Sequence, residues 1–368
     1  MKILELCNYS AGICGVWNRV KEESERLSKL GHEVKIFSSN LEKGTNKIVS
    51  EDDIIGDVLI RRFSARRLGG ESFMLWNFEE EALKFKPDVI IAHSYRHIHT
   101  GKALKIAKKI GCRVFLVTHA PFERGETRKL LDKFIVHLYD KFIGKRRLKE
   151  FDKIIAITRW EYPYLKKLGV SDNKIIYIPN GIPSKFFEIK NGKEEKNKLL
   201  FLGRIAEVKD IETLILAMNF VDNCFLEIVG PAEEKYLLKL KKLIRTNNLE
   251  RKIKFSPAVF DLKEKIKKID KSNIFVLPSK SEGMSQALIE AMARGKIVIA
   301  SNNPGNRDLI VNGKNGFLFK TGNYRKLADK INYALSADLN KMKNEAKKSV
   351  KYFSWSKIIE KIDNTIES

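Results

Sequence analysis

Long apolar runs, paired cysteine motifs and export signals are all missing from this sequence of 368 residues. No run approaches the ~20 consecutive apolar residues that a membrane-spanning helix needs. The opening stretch MKILELCNYS lacks the basic-then-apolar order of a secretory signal. The 4 cysteines are scattered without CxxC spacing, which is typical of reduced thiols rather than a disulfide framework or a zinc site. We therefore expect a cytoplasmic globular protein.

The positive charge is large, but it is not concentrated in one region. The formal net charge is +24, and residues 1–185 and 186–368 each contribute +12. A nucleic-acid-binding protein is expected to carry a basic patch or a recognition motif, and no zinc-finger, helix-turn-helix or RNP pattern occurs. A lysine-rich solvated surface explains much of the charge, while phosphorylated substrates and an anionic membrane surface stay open. We expect no nucleic-acid partner.

The chain is long for one hydrophobic core, since single cores usually stop growing at ~250–300 residues. Short apolar strands alternate with helices from KILELCN to IIYIPNG. The pattern breaks at the polar stretch PSKFFEIKNGKEEKNK, a linker candidate, and resumes from KLLFLGR to about residue 320. Such alternation predicts parallel sheets that helices cover on both faces. We predict two doubly wound α/β domains in tandem, with a cleft between them.

Candidate functional residues lie in loops that follow strands, because ligands of such sheets bind outside the carboxyl ends of the strands. In FLGRIAEVKD, Arg204 and Lys209 follow a strand and could together hold a diphosphate. The stretch SEGMSQALIEAMARG places Glu282 in a glycine-containing loop and Glu290 in the next helix, where carboxylates can accept hydrogen bonds from sugar hydroxyls. Either pattern also arises by chance on a charged surface, so neither is specific alone.

Two loops in the first half of the chain are weaker candidates. In YSAGICG, Gly12 and Gly15 would let a phosphate approach the backbone at a helix N-terminus, although a tight turn is an equally good explanation. His93 and His119 each end a strand, and either could bond a sugar or phosphate or be a structural histidine. His119 is the better candidate because a non-helical loop follows it.

Taken together and in order, these segments resemble the retaining glycosyltransferases of family 4, which have the two-domain GT-B fold and use nucleotide-sugar donors. The similarity spans nearly the whole chain and rests on GHEVKIFS, LVTHA, FDKIIAITR, IPNGI, LGRIAEVKD, SEGMSQALIEAMARG, VIASNNPGNRDLI, NGFLF and FSWSKIIEKI. It implies two Rossmann-like domains: an acceptor-binding domain over residues 1–182 and a donor-binding domain over residues 183–350. A last helix, in residues 351–368, would cross back to the first domain.

The resemblance also implies roles for the matching positions. Arg204 and Lys209 look like a diphosphate-binding pair, Glu282 like a contact to the donor sugar, and Glu290 like a contact to the nucleotide ribose. The remaining matches are Gly283, Met284 and Ser285, whose amides would meet the sugar, Gly15, which would approach the diphosphate, and His119, which would lie near the donor sugar. The chain departs from the family pattern at Cys14, Asp210 and Met284, where the family often has glycine, glycine and an aromatic residue.

The implied reaction moves a hexose or related sugar from a UDP- or GDP-linked donor to a hydroxyl acceptor with retention of configuration. A lipid-linked glycan, a membrane lipid or a polysaccharide precursor are the acceptors considered. Arg204, Lys209, Glu282 and His119 are the predicted catalytic residues. No Asp-x-Asp motif, a frequent device for holding a divalent metal on a nucleotide sugar, occurs in the chain, so we expect no metal and no other cofactor. A catalytically silent nucleotide-sugar-binding protein and a nucleotide-sugar epimerase are the alternatives.

Residues 128–149, RKLLDKFIVHLYDKFIGKRRLK, contain 8 basic and 2 acidic residues among apolar ones. An amphipathic helix of this composition could rest on anionic lipid, which would make the protein peripheral on the inner face of the cell membrane. A helix that covers the sheet and turns a basic face to solvent is at least as good an explanation.

Overall fold

The computed structural model describes residues 1–12, 14–45, 47–122, 130–189 and 193–368. These residues form two compact units. The first contains the described residues up to Asn180 together with Trp355–Ser368, and the second contains Gly181–Ser354. From the sequence we instead expect the first domain to end at residue 182 and the second domain at residue 350. Residues 128 and 129 of the basic segment lie outside the described residues.

The first unit is built on an eight-stranded sheet with the strand order β10-β9-β8-β7-β1-β2-β4-β3. Its strands and those of a separate hairpin are β1 (Lys2–Tyr9), β2 (Glu33–Ser39), β3 (Asp52–Ile55), β4 (Val58–Phe63), β5 (Ala65–Arg67), β6 (Met74–Trp76), β7 (Val89–His93), β8 (Arg113–Val117), β9 (Lys153–Ala156) and β10 (Ile175–Tyr177). Its helices are α1 (Gly15–Lys29), α2 (Glu79–Phe85), α3 (Ile98–Ile110), α4 (Leu130–Tyr139), α5 (Lys145–Glu150), α6 (Tyr162–Lys167) and, after the second unit, α14 (Trp355–Glu367).

All pairings in this large sheet are parallel except that of β3 with β4. Strands β1, β7 and β8 are buried along almost their whole length, because helices cover both faces of the sheet. The strand order reverses between β1 and β7. Loops at the carboxyl ends of these strands therefore diverge there and leave room for a ligand.

The last helix of the chain belongs to the first unit and packs against α1. The ring of Trp355 lies under the Arg26 guanidinium at 5.4 Å. Near the other end of the helix, His32 Nε2 lies 2.7 Å from Asp363 Oδ1, and the Lys361 ammonium donates to the Tyr177 carbonyl at 2.6 Å.

The second unit contains a six-stranded, wholly parallel sheet with the order β13-β12-β11-β14-β15-β16. The strands are β11 (Lys198–Leu202), β12 (Phe225–Val229), β13 (Ile253–Ser256), β14 (Ile274–Leu277), β15 (Ile297–Ser301) and β16 (Phe317–Phe319). The helices are α7 (Ile211–Ala217), α8 (Glu234–Thr246), α9 (Leu262–Lys271), α10 (Gln286–Ala293), α11 (Pro304–Leu309), α12 (Tyr324–Ser336) and α13 (Asn340–Val350). Two doubly wound, Rossmann-like domains are thus confirmed.

The polar stretch taken as a linker candidate is partly folded onto the second unit, which corrects that interpretation for its described residues. Phe186, in the short helix Ser184–Phe187, is completely buried in the core. Glu194 accepts hydrogen bonds from the ammonium groups of Lys296 at 2.9 Å and Lys343 at 2.6 Å. The sequence obscured this role because the apolar anchor is surrounded by charged residues.

Candidate active site

In the second unit, the strand order reverses between β11 and β14, and the loops that follow these two strands carry predicted site residues. Arg204 and Lys209 follow β11, and Glu282 follows the adjacent β14. The Lys280 amide donates a hydrogen bond to the Val208 carbonyl at 2.9 Å, which ties the two loops together. Ligands of open α/β sheets bind at such a reversal. The topology therefore explains why residues far apart in sequence meet here.

Lys209 and Glu282 form a direct ion pair. The distance from Lys209 Nζ to Glu282 Oε1 is 2.6 Å, and the two side chains are 19% and 9% exposed. A charge-assisted bond in this mostly buried setting fixes both groups in position. An ammonium has three N–H donors, so the pair leaves Lys209 able to contact an anion as well.

Arg204 lies on the same loop but has a different partner. Its side chain is 56% exposed, and Nη1 lies 3.2 Å from Glu233 Oε1. Exposed ion pairs contribute little stability, about 0–1 kcal/mol. The guanidinium can therefore exchange Glu233 for a phosphate at small cost.

Asp210 directly follows Lys209 and takes the left-handed conformation, with φ +49°. This is the position where the family pattern often has glycine, and aspartate is one of the few other residues that tolerates such a backbone. The Thr213 hydroxyl donates to the Asp210 carboxylate at 2.7 Å. The sequence departure thus retains a backbone conformation that glycine favours.

The loop before α10 is held by a cap and by a close backbone approach. The Ser285 hydroxyl accepts a hydrogen bond from the Leu288 amide at 3.3 Å. A Cβ atom at Gly305 would lie 2.2 Å from the Glu282 carbonyl oxygen and 2.5 Å from that of Gly283. Gly305 therefore lets the loop approach α11. Sequence reasoning did not single out Gly305, although it lies in the quoted stretch VIASNNPGNRDLI.

Glu290 is buried in α10, with 4% of its surface exposed. Its Oε1 accepts a hydrogen bond from the Lys265 ammonium at 2.5 Å. Its Oε2 has no hydrogen-bond partner among the described residues. A buried acceptor without a donor costs about 1–3 kcal/mol, and a ligand hydroxyl could supply the missing donor.

The glycines of the first unit have different structural requirements. Gly12 has φ +82°, and a Cβ atom there would lie 2.6 Å from the Lys43 carbonyl oxygen, so the fold requires glycine. Gly15 begins α1, and no heavy atom of the described residues lies within 4 Å of where its Cβ would stand. The described fold therefore does not itself require glycine at position 15, and its role in binding diphosphate stays a prediction.

His119 follows β8 and belongs to a chain of polar groups. His119 and Ala120 both have left-handed backbones, with φ +57° and +54°. His119 Nε2 lies 2.9 Å from His93 Nδ1, and His93 Nε2 lies 2.6 Å from Glu5 Oε2. Desolvation holds the pKa of the partly exposed His119 well below its usual value, so the ring is neutral.

Sequence reasoning missed the charged residues behind His119. Glu5 is completely buried in β1, as are Arg19 and Glu23 in α1. Arg19 Nε donates to Glu23 Oε2 at 3.0 Å, and its Nη1 donates to the Ile178 carbonyl at 3.1 Å. A glutamate in the middle of a strand buried on both faces was the available signal, because such strands are normally apolar throughout.

Two groups among the described residues bring possible metal ligands within 4.8 Å of one another. Glu5, Glu23 and His93 form the first, but the Arg19 guanidinium pairs with Glu23 and disfavours a further cation there. The second consists of His32, Asp363 and Glu367 and is only partly buried. We assign a metal to neither group.

The helical segment over residues 130–150 continues from α4 to α5 through a wider turn at Asp140–Gly144. It exposes a row of apolar side chains, which we call the apolar face: Leu131, Phe134, Ile135, Leu138, Phe142 and Ile143. Leu148 in α5 is completely buried, as in a helix that covers the sheet, whereas the side chains of the apolar face are exposed. Among the described residues, no helix is long and apolar enough to span a membrane.

Two family models together cover most of the chain. Residues 13–186 match the model "Glycosyltransferase Family 4", and residues 184–351 match "Glycosyl transferases group 1". An uncharacterized glycosyltransferase of Methanocaldococcus jannaschii is 30% identical over 63% of this chain and 62% of its own length. The UDP-Gal:alpha-D-GlcNAc-diphosphoundecaprenol alpha-1,3-galactosyltransferase of Escherichia coli is 29% identical over 64% and 63%. The chain thus matches less than two thirds of the length of these two relatives.

The fold resembles solved structures over the whole chain. Sucrose-phosphate synthase from Thermosynechococcus elongatus superposes with a TM-score of 0.81, covering 100% of this chain and 98% of that protein. The two sequences are 18% identical, so this likeness concerns the fold alone.

Proposed function

Because the chain belongs to the family 4 glycosyltransferases and has the GT-B fold, we propose that it transfers a hexose or related sugar from a nucleoside diphosphate sugar to a hydroxyl acceptor, with retention of anomeric configuration. The ion pair of Lys209 with Glu282 at the strand reversal carries this proposal. It supplies a cation for a diphosphate and an acceptor for sugar hydroxyls at one place. Glu290, on the helix that follows Glu282, offers a buried oxygen for a ribose hydroxyl.

In the proposed reaction, the bond between the sugar C1 and the diphosphate oxygen breaks. A new bond forms from C1 to the acceptor oxygen, whose proton passes to the departing diphosphate. Negative charge accumulates on the diphosphate as it leaves, so Arg204 and Lys209 lower the barrier by binding it more strongly in the transition state. Glu282 holds the sugar hydroxyls, and the amides of residues 283–285 add contacts to the donor. The contacts of His119 and Gly15 with the donor, which the resemblance implies, stay predictions.

We propose that the two basic side chains take the place of a divalent cation. The absence of an Asp-x-Asp motif and the position of the Lys209 ammonium support this proposal. Turnover should then be unchanged by a chelator. We likewise propose a hexosyl donor linked to UDP or GDP, and the E. coli relative is named for a UDP-sugar.

The proposed acceptor is a lipid-linked glycan, a membrane lipid or a polysaccharide precursor. The E. coli relative acts on a diphosphoundecaprenol-linked sugar according to its name. The apolar face gives a reason, within this chain, to expect an acceptor at a membrane. The side chains of Leu131, Phe134 and Phe142 are 68%, 59% and 66% exposed. Placing such side chains in the interfacial region of a bilayer yields up to about 1.5–3 kcal/mol each when burial is complete.

Basic residues near the apolar face support the proposal that its partner is an anionic lipid surface. A groove of about 910 Å³ runs between α3 and α5 beside Phe142. Five basic residues line it against two acidic ones, Glu150 and Asp152: Lys108, Lys141, Lys145, Arg146 and Lys149. Each basic residue near an anionic membrane contributes about 1 kcal/mol at moderate salt. We propose that the protein docks peripherally with this surface on the inner leaflet.

Product analysis tests the proposed function. The protein is incubated with UDP- and GDP-hexoses and with a panel of lipid-linked and soluble acceptors, and products are identified by mass spectrometry. The anomeric configuration of the new linkage is read by NMR. A glycoside that retains the donor configuration supports the proposal, an inverted linkage contradicts retention, and a C2- or C4-epimerised donor formed without acceptor indicates an epimerase.

A further inference from the structure

Three groups on neighbouring strands of the first unit form a continuous hydrogen-bonded chain that ends at His119. Glu5 in β1 and His93 in β7 are completely buried, whereas His119, after β8, is partly exposed. The two links of the chain are 2.6 Å and 2.9 Å long. The other ring nitrogen of His119, Nδ1, makes no hydrogen bond to the described residues.

Each link in this chain contains one hydrogen, so the position of one proton decides the direction of both. A proton on Glu5 makes its hydroxyl donate to His93 Nε2. His93 must then donate from Nδ1 to His119 Nε2, which leaves the hydrogen of His119 on Nδ1. If the proton lies instead on His93, as an imidazolium beside an ionised Glu5 carboxylate, His93 still donates to His119 Nε2 and the hydrogen of His119 stays on Nδ1. Only removal of that proton reverses both bonds and turns His119 Nδ1 into an acceptor.

The surroundings favour the proton on Glu5. Its second oxygen, Oε1, is buried without a partner among the described residues, which an ionised carboxylate tolerates far less well than a neutral acid. Burial raises the pKa of Glu5 well above its usual value and lowers the pKa of His93 to about 3. Both directions agree with the geometry.

The neighbouring charges have opposite effects on whether the Glu5–His93 pair holds a proton. Arg19 opposes protonation of Glu5, while the Glu23 carboxylate, which pairs with Arg19, favours protonation of His93. His97 directly precedes α3, and His99 lies in α3 with its Nε2 2.8 Å from the His93 carbonyl oxygen. Burial lowers the pKa of both imidazoles below the usual value, so neither adds charge near neutral pH.

The backbone around His119 is held in a conformation that costs energy. His119 and Ala120 are two successive non-glycine residues with left-handed backbones, a conformation that a Cβ atom disfavours. The Ala120 amide donates to the buried Glu161 carboxylate at 3.0 Å, which stabilises this turn. Strain that the surrounding structure maintains in this way is typical of functional sites.

We propose that Glu5 and His93 are positioning residues which hold one proton between them and so fix His119 as the tautomer with its hydrogen on Nδ1. Nδ1, which bonds none of the described residues, is then a donor, suited to a hydroxyl or phosphate oxygen of a bound ligand. The identity of that ligand rests on the proposed function, but the tautomer does not. A glutamate–histidine pair thus sets the hydrogen-bonding sense of a third residue that reaches the ligand.

The test is ¹⁵N NMR of the full-length protein labelled at histidine, without ligand, at neutral pH. The His119→Asn variant assigns the His119 signals. We expect Nδ1 to have the shift of a protonated, pyrrole-type nitrogen and Nε2 that of an unprotonated, pyridine-type nitrogen. The opposite assignment, or a mixture of tautomers in the wild type, would overturn the proposal.

Substitutions test whether Glu5 and His93 are the cause. Glu5→Gln keeps an N–H donor toward His93, and the His119 tautomer should persist. Glu5→Leu removes the hydrogen-bond donor to His93, so both tautomers of His119 should appear. An unchanged single tautomer would overturn the proposal. His93→Phe should give the same mixture and replaces Glu5→Leu if that variant does not fold. Because the NMR measurement needs no nucleotide sugar, failure here is distinguishable from failure to find transferase activity.

Once a nucleotide-sugar donor is known, Glu5→Leu should lower kcat/KM about tenfold, the effect of roughly one hydrogen bond.

Discussion

The ammonium of Lys209 and the carboxylate of Glu282 lie 2.6 Å apart, although 73 residues separate them in the chain. They meet because β11 and β14 are adjacent at the reversal of strand order, and each residue follows one of these strands. The pair joins a charge suited to a phosphate with an acceptor suited to a sugar hydroxyl. Changing either member should therefore affect catalysis more than stability.

Lys209→Ala should lower kcat by ~10²–10³, because a fixed donor to the departing diphosphate is lost. The matched control is Lys242→Ala, since Lys242 is exposed on α8 of the same unit. Sugar transfer under saturating donor is the measurement. Equal rates for Lys209→Ala and the control would contradict the role given to Lys209.

Glu290→Gln should weaken nucleotide binding about tenfold, because a neutral amide is a poorer acceptor for ribose hydroxyls than a carboxylate. Calorimetry with UDP or GDP and with their 2′- and 3′-deoxy forms separates this effect from general damage. The wild type should prefer the ribonucleotide, and the variant should lose most of that preference. If discrimination survives intact, Glu290 does not contact the ribose.

EDTA at millimolar concentration should leave the initial rate unchanged, because Arg204 and Lys209 supply the positive charge on the diphosphate. Activity is compared before chelation, after chelation and after Mg²⁺ or Mn²⁺ is restored. A loss that only the metal reverses would show that the basic pair is insufficient.

Glu161 should make the protein less stable as the pH rises toward neutrality. Burial raises its pKa from about 4.5 to about 7, so the folded state binds this proton more tightly than the unfolded chain. The contribution is complete below about pH 4.5 and is lost as the pH rises through about 7, with an upper limit of about 3 kcal/mol. Urea unfolding at pH 5 and pH 8 is compared for the wild type and Glu161→Gln. The difference between the two pH values should shrink in the variant; an equal difference would place the titrating group elsewhere.

Phe134→Ser combined with Phe142→Ser should reduce binding to vesicles that contain anionic lipid, because two exposed aromatic anchors are lost. Flotation with phosphatidylcholine vesicles, with and without phosphatidylglycerol, is measured at low and high salt. Phe260→Ser is the control, since Phe260 is 80% exposed in the second unit. Equal binding by the double variant and the control would exclude the apolar face as the docking surface.

The sequence predicted the two α/β units and the loops of the second unit well, because apolar strands and strand-to-helix loops are local patterns. It also singled out Glu282 and Glu290 as candidates by type and spacing, and their binding roles stay predictions. The direct bond from Glu282 to Lys209 could not be predicted from local patterns, because it depends on which strands are adjacent in the sheet. The unpaired oxygen of Glu290 likewise depends on packing from α9, where Lys265 lies.

The polar network of the first unit was harder to foresee. Glu5 stands within an apolar strand, and its two neighbours on either side give no sign of a partner. The partner, His93, lies 88 residues away on the next strand of the sheet. The apolar face was ambiguous for a related reason: composition predicts an amphipathic helix, but only the neighbouring elements decide which side is covered.

Calorimetric titration of the wild type and Lys209→Ala with UDP- and GDP-sugars tests the proposed donor site most directly. We predict that the wild type binds at least one of these donors and that the substitution weakens binding at least tenfold. Absence of binding to every donor, or equal affinity in both proteins, would contradict a diphosphate-sugar site at Lys209 and Glu282.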